Sequence, residues 1–284
     1  MKILISTIAF RDLTGSEMYA YELSRELVIS GHDVSIVSTI NPRPSCKNEI
    51  AERARANGVK VYSFEDPPKE KFDILHVGQY SPSEFALCKY DGDVIATIHS
   101  EYPCEKPLVS TRIKKYICIR PSIQEHIIKE YGIPREKTVV IYNPVDTSRF
   151  NTVDKDTKDG LVLFVGTVDL LRKDTLLDLK KRFKNLKIIG ANENNLDYLG
   201  NTEWHDQVWK IEKYIKQASM TAGILLGRTT IESWLCGVPT EIYDIDLDGK
   251  IKSHNLVEPP KDLSIFDAKN VAKKIEEQYA LIRG

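Results

Sequence analysis

The stretch Gly227–Pro239, GRTTIESWLCGVP, brings a guanidinium, two hydroxyls and a carboxylate together in quick succession. The apolar run AGILL precedes it, and Gly237 and Pro239 close it. That order reads as a buried strand, a turn at Gly227-Arg228 and a helix of about two turns. Thr229 and Glu232 have the Ser/Thr-x-x-Glu spacing of a capping box. In that motif Thr229 accepts from the amide of Glu232, and Glu232 reaches back to the amide of Thr229. Arg228, Thr229, Thr230 and the free amides of a helix start converge on one point, which suits a phosphate group. A carboxylate at the same end suits sugar hydroxyls, as the acidic residue of dinucleotide folds suits ribose.

Three other places carry similar chemistry. TGSE, Thr14 to Glu17, follows the first apolar run and opens a helix. Gly15 and Ser16 there allow either close approach of backbone to a ligand or a simple N-cap. His99 closes the apolar strand DVIATIH. In FVGTVDLLRKDTLLDL, Gly166 ends a strand and Arg172 and Lys173 stand at a helix start. Cations oppose the helix dipole there, an arrangement that makes sense beside an anion and is otherwise a solvated charge pair.

All four must be held by something, and the hydropathy pattern supplies it. Short apolar runs alternate with helical stretches: ILIST, EMYAYELSRELVI, DVSIVS, EIAERARAN, VKVYSF, DILHV, SEFALCKY, DVIATIH, YICI, SIQEHIIKEYG and TVVIY. Alternation with apolar strands predicts parallel sheets covered on both faces. The polar NPVDTSRFNTVDKDTKDG then reads as a linker. The alternation restarts with LVLFVG, TLLDLKKRF, LKIIG, VWKIEKYIKQA, AGILL, TIESWLC and PTEIYD, and AKNVAKKIEEQYALI forms a last helix. The expectation is an α/β protein with two tandem Rossmann-like domains, 1–150 and 151–284, facing a central cleft. The chemistry would sit beyond the carboxyl ends of the strands.

Composition narrows the function. With 40 Lys and Arg against 41 Asp and Glu, the net charge is −1, so no global field attracts nucleic acid or anionic lipid. The five cysteines, Cys46, Cys88, Cys104, Cys118 and Cys236, form no Cys-x-x-Cys, and the six histidines form no His-Glu-x-x-His. Neither a disulfide framework nor a zinc site is expected, and no Gly-x-Gly-x-x-Gly points to a dinucleotide cofactor. The first residues read as a buried strand rather than a signal peptide, and no apolar run is long enough to span a bilayer. A reducing cytosol is the expected home.

Taken together, these motifs resemble a family. The chain looks like a GT-B glycosyltransferase of the large retaining family four, nearly end to end. LTGSEMYAYELSRELVISGHDVSIVS resembles its opening loop, helix and strand. IRPSIQEHIIKEYGIPREKTVVIYNPVDTSRF resembles its interdomain segment, with Asn143, Val145 and Asp146. LVLFVGTVDLLRKDTLLDL resembles its phosphate loop, and GRTTIESWLCGVP its donor-binding helix. The resemblance implies transfer of a sugar from a nucleoside diphosphate sugar with retention of configuration. It implies no metal and no cofactor beyond the donor substrate itself, with the C-terminal helix packing back on the N-terminal domain.

By the same resemblance, Glu232 binds the ribose, and Gly227, Arg228 and the amides of Thr229 and Thr230 hold the diphosphate. Lys173 with Arg172 neutralises the leaving phosphate. Gly15, Ser16 and Gly166 line the site, His99 faces the sugar, and Trp204 and His205 meet the base. The chain also departs from the pattern. Ile224 stands where the family often has a glutamate, Thr167 replaces an arginine, Ser16 a glycine, and Pro144 a glycine. A nucleotide-binding or regulatory subunit and a sugar-nucleotide epimerase are the alternatives. The acceptor would be a glycan, a lipid-linked sugar or a small molecule, and nucleic acid is not favoured. The basic stretches RIKKYICIR and KKRFKNLK read as solvated faces or as a peripheral contact with the inner membrane face.

Overall fold

The computed structural model describes residues 1–41, 49–192 and 196–284, so Cys46 lies outside the described residues. The chain divides into two compact units. One consists of Met1–Pro144 with Ser264–Gly284, the other of Val145–Leu263.

The first unit runs β1 (Lys2–Ser6), α1 (Gly15–Ile29), β2 (Asp33–Ser38), α2 (Glu49–Ala56), β3 (Lys60–Ser63), β4 (Ile74–Val77), α3 (Tyr80–Lys89), β5 (Asp93–Ile98), β6 (Ile113–Cys118), α4 (Pro121–Tyr131) and β7 (Thr138–Val140). Its strands form one parallel sheet in the order β3-β2-β1-β4-β5-β6-β7. Ile3, Leu4 and Ile5 are all buried, with no alternation, as expected where both faces are covered. Local signals mark the helix ends. Gly31, at φ +86°, closes α1, and α4 opens on Pro121 and stops at Gly132, φ +63°. The strand order reverses direction between β1 and β4, which leaves a crevice at their carboxyl ends.

The second unit runs β8 (Val162–Val165), α5 (Lys173–Arg182), β9 (Leu186–Ile189), β10 (Glu203–His205), α6 (Glu212–Gln217), β11 (Met220–Ile224), α7 (Arg228–Leu235), β12 (Thr240–Ile245) and β13 (Ile251–Leu256). The sheet order is β10-β9-β8-β11-β12-β13, with only β13 antiparallel to its neighbour. The equivalent reversal falls between β8 and β11. Both edge strands, β10 and β13, lie outside the sequence expectation. Both are largely exposed, so neither has an apolar run to announce it.

The last helix, α8 (Ala268–Arg283), returns to the first unit and packs on α1, β5 and β6. Asp267 caps it, accepting from the amides of Lys269 and Asn270. Val271, Ile275 and Tyr279 are fully buried on its inner face. His32 meets Glu276 at 2.7 Å, and Lys114 Nζ donates to the carbonyl of Ile282 at 2.7 Å.

The two basic stretches are largely consumed by the fold. Residues 113–118 form a sheet strand. Arg112 donates to the carbonyls of Leu87 and Tyr90, and Lys115 to that of Glu136. Lys180 donates to the carbonyl of Leu199, Arg182 pairs with Glu241, and Lys187 with Glu203. None of the described helices is long and apolar enough to cross a membrane.

Candidate functional site

In the second unit the β11–α7 turn is the focal point. Leu225 has φ +56°, a left-handed conformation that costs an L-residue roughly 1–2 kcal/mol. Its amide still donates to Tyr243, and the amide of Gly227 donates back to the carbonyl of Leu225. The chain is thus bent sharply at the strand end, where strain accumulates at functional sites. Helix α7 begins at Arg228 with Gly227 as its N-cap, and no side chain caps it. The expected Thr229–Glu232 capping box is therefore not formed. Arg228 Nε instead donates to Glu232 Oε1 at 2.7 Å, with both side chains buried. A buried guanidinium is a stronger partner for a carboxylate than a single amide, so it wins. Gly227, as the N-cap, has no side chain to offer the first-turn amides.

Around that pair sits a second one. Arg149 binds Glu212 at 2.8 Å and the carbonyl of Trp209 at 2.7 Å, and stacks over the Trp209 ring at 4.8 Å. Burial pushes the Glu232 carboxyl up from its usual range, against the pull of Arg228 and Arg149. Thr230 is buried against Gly223, where an added Cβ would stand 3.1 Å from the Thr230 hydroxyl. That hydroxyl has no partner among the described residues.

The β8–α5 loop supplies the remaining donors. Arg172 is the N-cap residue of α5, and its guanidinium is taken by Asp169, whose carboxylate also accepts from the Arg172 amide at 2.8 Å. Lys173 is exposed and makes no ion pair among the described residues. Its ammonium lies 5.9 Å from the centre of the Tyr198 ring. Tyr198 donates to the carbonyl of Asp169 at 2.9 Å, and burial pushes its hydroxyl up to about 12. Of the two cations singled out from sequence, Lys173 is the one left for an anion. Gly166 and Gly190 touch back to back, since a Cβ on Gly190 would fall 1.9 Å from the carbonyl oxygen of Gly166. Trp204 donates its indole N–H to the carbonyl of Gly190 at 2.9 Å, and the His205 carbonyl accepts the Gly190 amide at 3.0 Å. The side chain of His205 pairs with Glu203.

In the first unit a small notch opens at the carboxyl ends of β1, β4 and β5. Thr7, Ser16, Tyr19, His76, Thr97 and His99 are among its walls. Gly15 opens α1 with open space where a Cβ would stand, so no packing requires a glycine there. Ser16 does not cap the helix. Its hydroxyl donates to Glu17 at 2.8 Å, and the same carboxyl group accepts from the hydroxyls of Thr14 and Thr7. His99 stacks edge-on to Tyr19, ring centres 5.0 Å apart. Burial, aided by nearby Arg120, brings its pKa down to about 4, so the imidazole is neutral near pH 7. Arg120 in turn is gripped by Glu101 and by Ser122. Glu105, near Gln79, is pushed up to about 7 by burial and by Glu17.

Sequence reasoning missed Tyr19, His76, Arg120 and Tyr198. Arg120 was signalled by its place at the end of an apolar strand. Tyr19 and His76 sit inside apolar runs, where nothing local marks them as polar partners. No group of three or more His, Cys, Asp or Glu among the described residues could hold a metal ion.

Residues 13–149, slightly under half of the chain, match the model of Glycosyltransferase Family 4. The fold likeness extends over both units. Anabaena HepE, in a crystal structure with UDP and glucose, aligns over 99% of this chain and 100% of its own, with TM-score 0.69 and 13% identity. AviGT4, a glycosyltransferase involved in avilamycin A biosynthesis, aligns over 100% and 98%, with TM-score 0.63 and 14% identity. A glycosyltransferase from Rickettsia africae ESF-5 aligns over 99% and 88%, with TM-score 0.62 and 13% identity. The chain thus has the GT-B fold, two Rossmann-like domains, of these glycosyltransferases. No curated protein matches it in sequence.

Proposed function

We propose that this protein is a retaining glycosyltransferase that takes a sugar from a nucleoside diphosphate sugar and places it on an acceptor hydroxyl without a metal ion. The observation that carries the reading is the β11–α7 turn, a strained strand end followed by a helix start that no side chain caps. Such a helix start favours a diphosphate, and Lys173 in the neighbouring loop adds a cation with no ion-pair partner among the described residues. In the reaction, the bond from the sugar's anomeric carbon to the diphosphate breaks. A bond from that carbon to the acceptor oxygen forms on the same face, and the acceptor's proton passes to the departing diphosphate. Negative charge builds on the leaving group, where the α7 amides and Lys173 stabilise it. The base and ribose lie towards Trp204, His205 and Glu232, while Gly166, Arg228, Thr229 and Thr230 shape the diphosphate seat. Gly15, Ser16 and His99 serve the sugar side from the first unit.

The complexes of HepE with UDP and glucose and with UDP-glucose make UDP-glucose the first donor to try. A thermal-shift panel of UDP, GDP and ADP with their glucose conjugates names the base, because a ligand that binds only the folded state raises its midpoint. Turnover is then followed with and without EDTA, and the anomeric configuration of the product is read by NMR. A donor that binds but is neither transferred nor hydrolysed would remove the transferase reading. It would favour a nucleotide-binding subunit, the alternative that Ile224 motivates.

A further inference from the structure

A buried chain of hydrogen bonds runs from the C-terminal helix to the notch of the first unit. Tyr279 Oη lies 2.6 Å from His76 Nδ1, and His76 Nε2 lies 2.7 Å from Thr97 Oγ1. Tyr19 Oη lies 3.1 Å from the same Thr97 oxygen. All four residues are 2% exposed or less. Burial, with His99 nearby, brings the pKa of His76 down to about 3, so its ring is neutral and carries one proton. One ring nitrogen therefore donates and the other accepts.

Counting hydrogens fixes the direction of the chain. If Nδ1 held the proton, it would donate to Tyr279, whose own hydroxyl hydrogen would then have no partner in a fully buried place. If Tyr279 donates to Nδ1, Nε2–H donates to Thr97, and one hydroxyl hydrogen is left over at the far end. It belongs to Tyr19 or Thr97, and both line the notch. An unpaired donor is costly in the core and is satisfied where a ligand or water can enter. The notch has room for about one water-sized group. Its two imidazoles are neutral, so neither offers an anion a charge. The occupant that fits is a neutral oxygen.

We propose that the Tyr19–Thr97 hydroxyl pair presents one hydrogen-bond donor to the notch, where it takes an oxygen of the sugar substrate, and that Tyr279 is the positioning residue that sets this direction. The nature of the oxygen rests on the glycosyltransferase reading, whereas the direction of the chain rests on geometry alone. The C-terminal helix thereby takes part in the site without touching the substrate.

Nitrogen-15 NMR of histidine-labelled protein at neutral pH reads the direction, with the His76 signals assigned by their loss in His76→Gln. A protonated Nε2 and a bare Nδ1 are expected, and the opposite tautomer overturns the proposal. Tyr279→Phe removes the donor to Nδ1 and should mix the two tautomers. The same variant, and separately the double variant Tyr19→Phe/Thr97→Val, should lower kcat on UDP-glucose by about tenfold, the scale of one hydrogen bond, with UDP affinity kept. Wild-type turnover by the double variant would overturn the proposal. If the wild type turns over no nucleoside diphosphate sugar, the glycosyltransferase reading falls, and the tautomer measurement still decides the direction of the chain.

Discussion

Arg228 Nε stands 2.7 Å from Oε1 of Glu232, one turn further along α7, and each residue is less than a tenth exposed. Removing one partner of a buried ion pair leaves an uncompensated charge and typically costs about 3–5 kcal/mol. Glu232→Ala is therefore expected to lose that order of stability in urea unfolding, more than the ~0.5–2 kcal/mol of a missing cap. Arg228→Met/Glu232→Leu should recover part of the loss. A fall below about 1 kcal/mol for the single variant would show that the pair does not hold the helix start.

Lys173 has the opposite character, being exposed and without an ion pair among the described residues. Lys173→Ala should leave the thermal midpoint nearly unchanged, since surface changes usually lie within about ±0.5 kcal/mol. It should weaken binding of UDP or another nucleoside diphosphate by about tenfold at low salt and less at high salt, where the charge is screened. Isothermal titration at two salt concentrations measures both. Equal affinity of variant and wild type at low salt would take Lys173 out of the diphosphate seat.

Two glycines separate packing from ligand approach. Gly190→Ala puts a methyl 1.9 Å from the Gly166 carbonyl oxygen, so backbone must move and a stability loss of about 1–3 kcal/mol or more is expected. Gly15→Ala meets open space at a helix start, where losing a glycine stabilises by roughly 0.4–1 kcal/mol. Thermal melts of both, with turnover of Gly15→Ala, test the contrast. A Gly15→Ala variant that is at least as stable but turns over poorly in the proposed reaction marks a place kept open for substrate. Full activity would mean no ligand approaches there.

Buried His76 makes stability depend on pH. Its folded pKa of about 3 lies below the ordinary unfolded value near 6.5, so below that value the unfolded chain binds a proton that the folded one refuses. The stability it allows is fully present above about pH 6.5 and falls by ~1.4 kcal/mol per pH unit as the pH drops towards the folded pKa. Glu105 acts in the opposite sense, since its raised pKa of about 7 costs stability as pH rises from its ordinary range. The difference between wild type and His76→Gln isolates the histidine. Unfolding at pH 7 and pH 5 should show a shallower pH slope in His76→Gln. An equal slope in both proteins would place His76 in contact with water.

Much of this was legible in the sequence because it is written locally. Strands such as β1 and β8 carry continuous apolar runs, and Gly31 and Gly132 mark the helix ends. Edge strands β10 and β13 were not legible, because an exposed edge strand needs no apolar pattern and is held by its neighbour's backbone. In the site, residue types were readable and partners were not. RTTIE carries an Arg and a Glu four apart, a helical pair as plausible as the capping box, and only burial decides between them. Asp169, three residues before Arg172, likewise removes a cation that the sequence leaves in play. The His76–Tyr279 bond joins residues 203 apart in sequence, and no local pattern announces it.

The return of α8 to the first unit has a consequence for how the protein is made. Residues 145–263 form an unbroken unit and leave the ribosome before α8 does. The second unit can therefore complete its core during synthesis. The first must wait with the faces of α1, β5 and β6 that α8 covers still bare, and with His76 lacking its tyrosine. Apolar surface left open for that interval is the kind that invites aggregation or chaperone capture. The unit whose sheet is synthesised first is thus the one finished last.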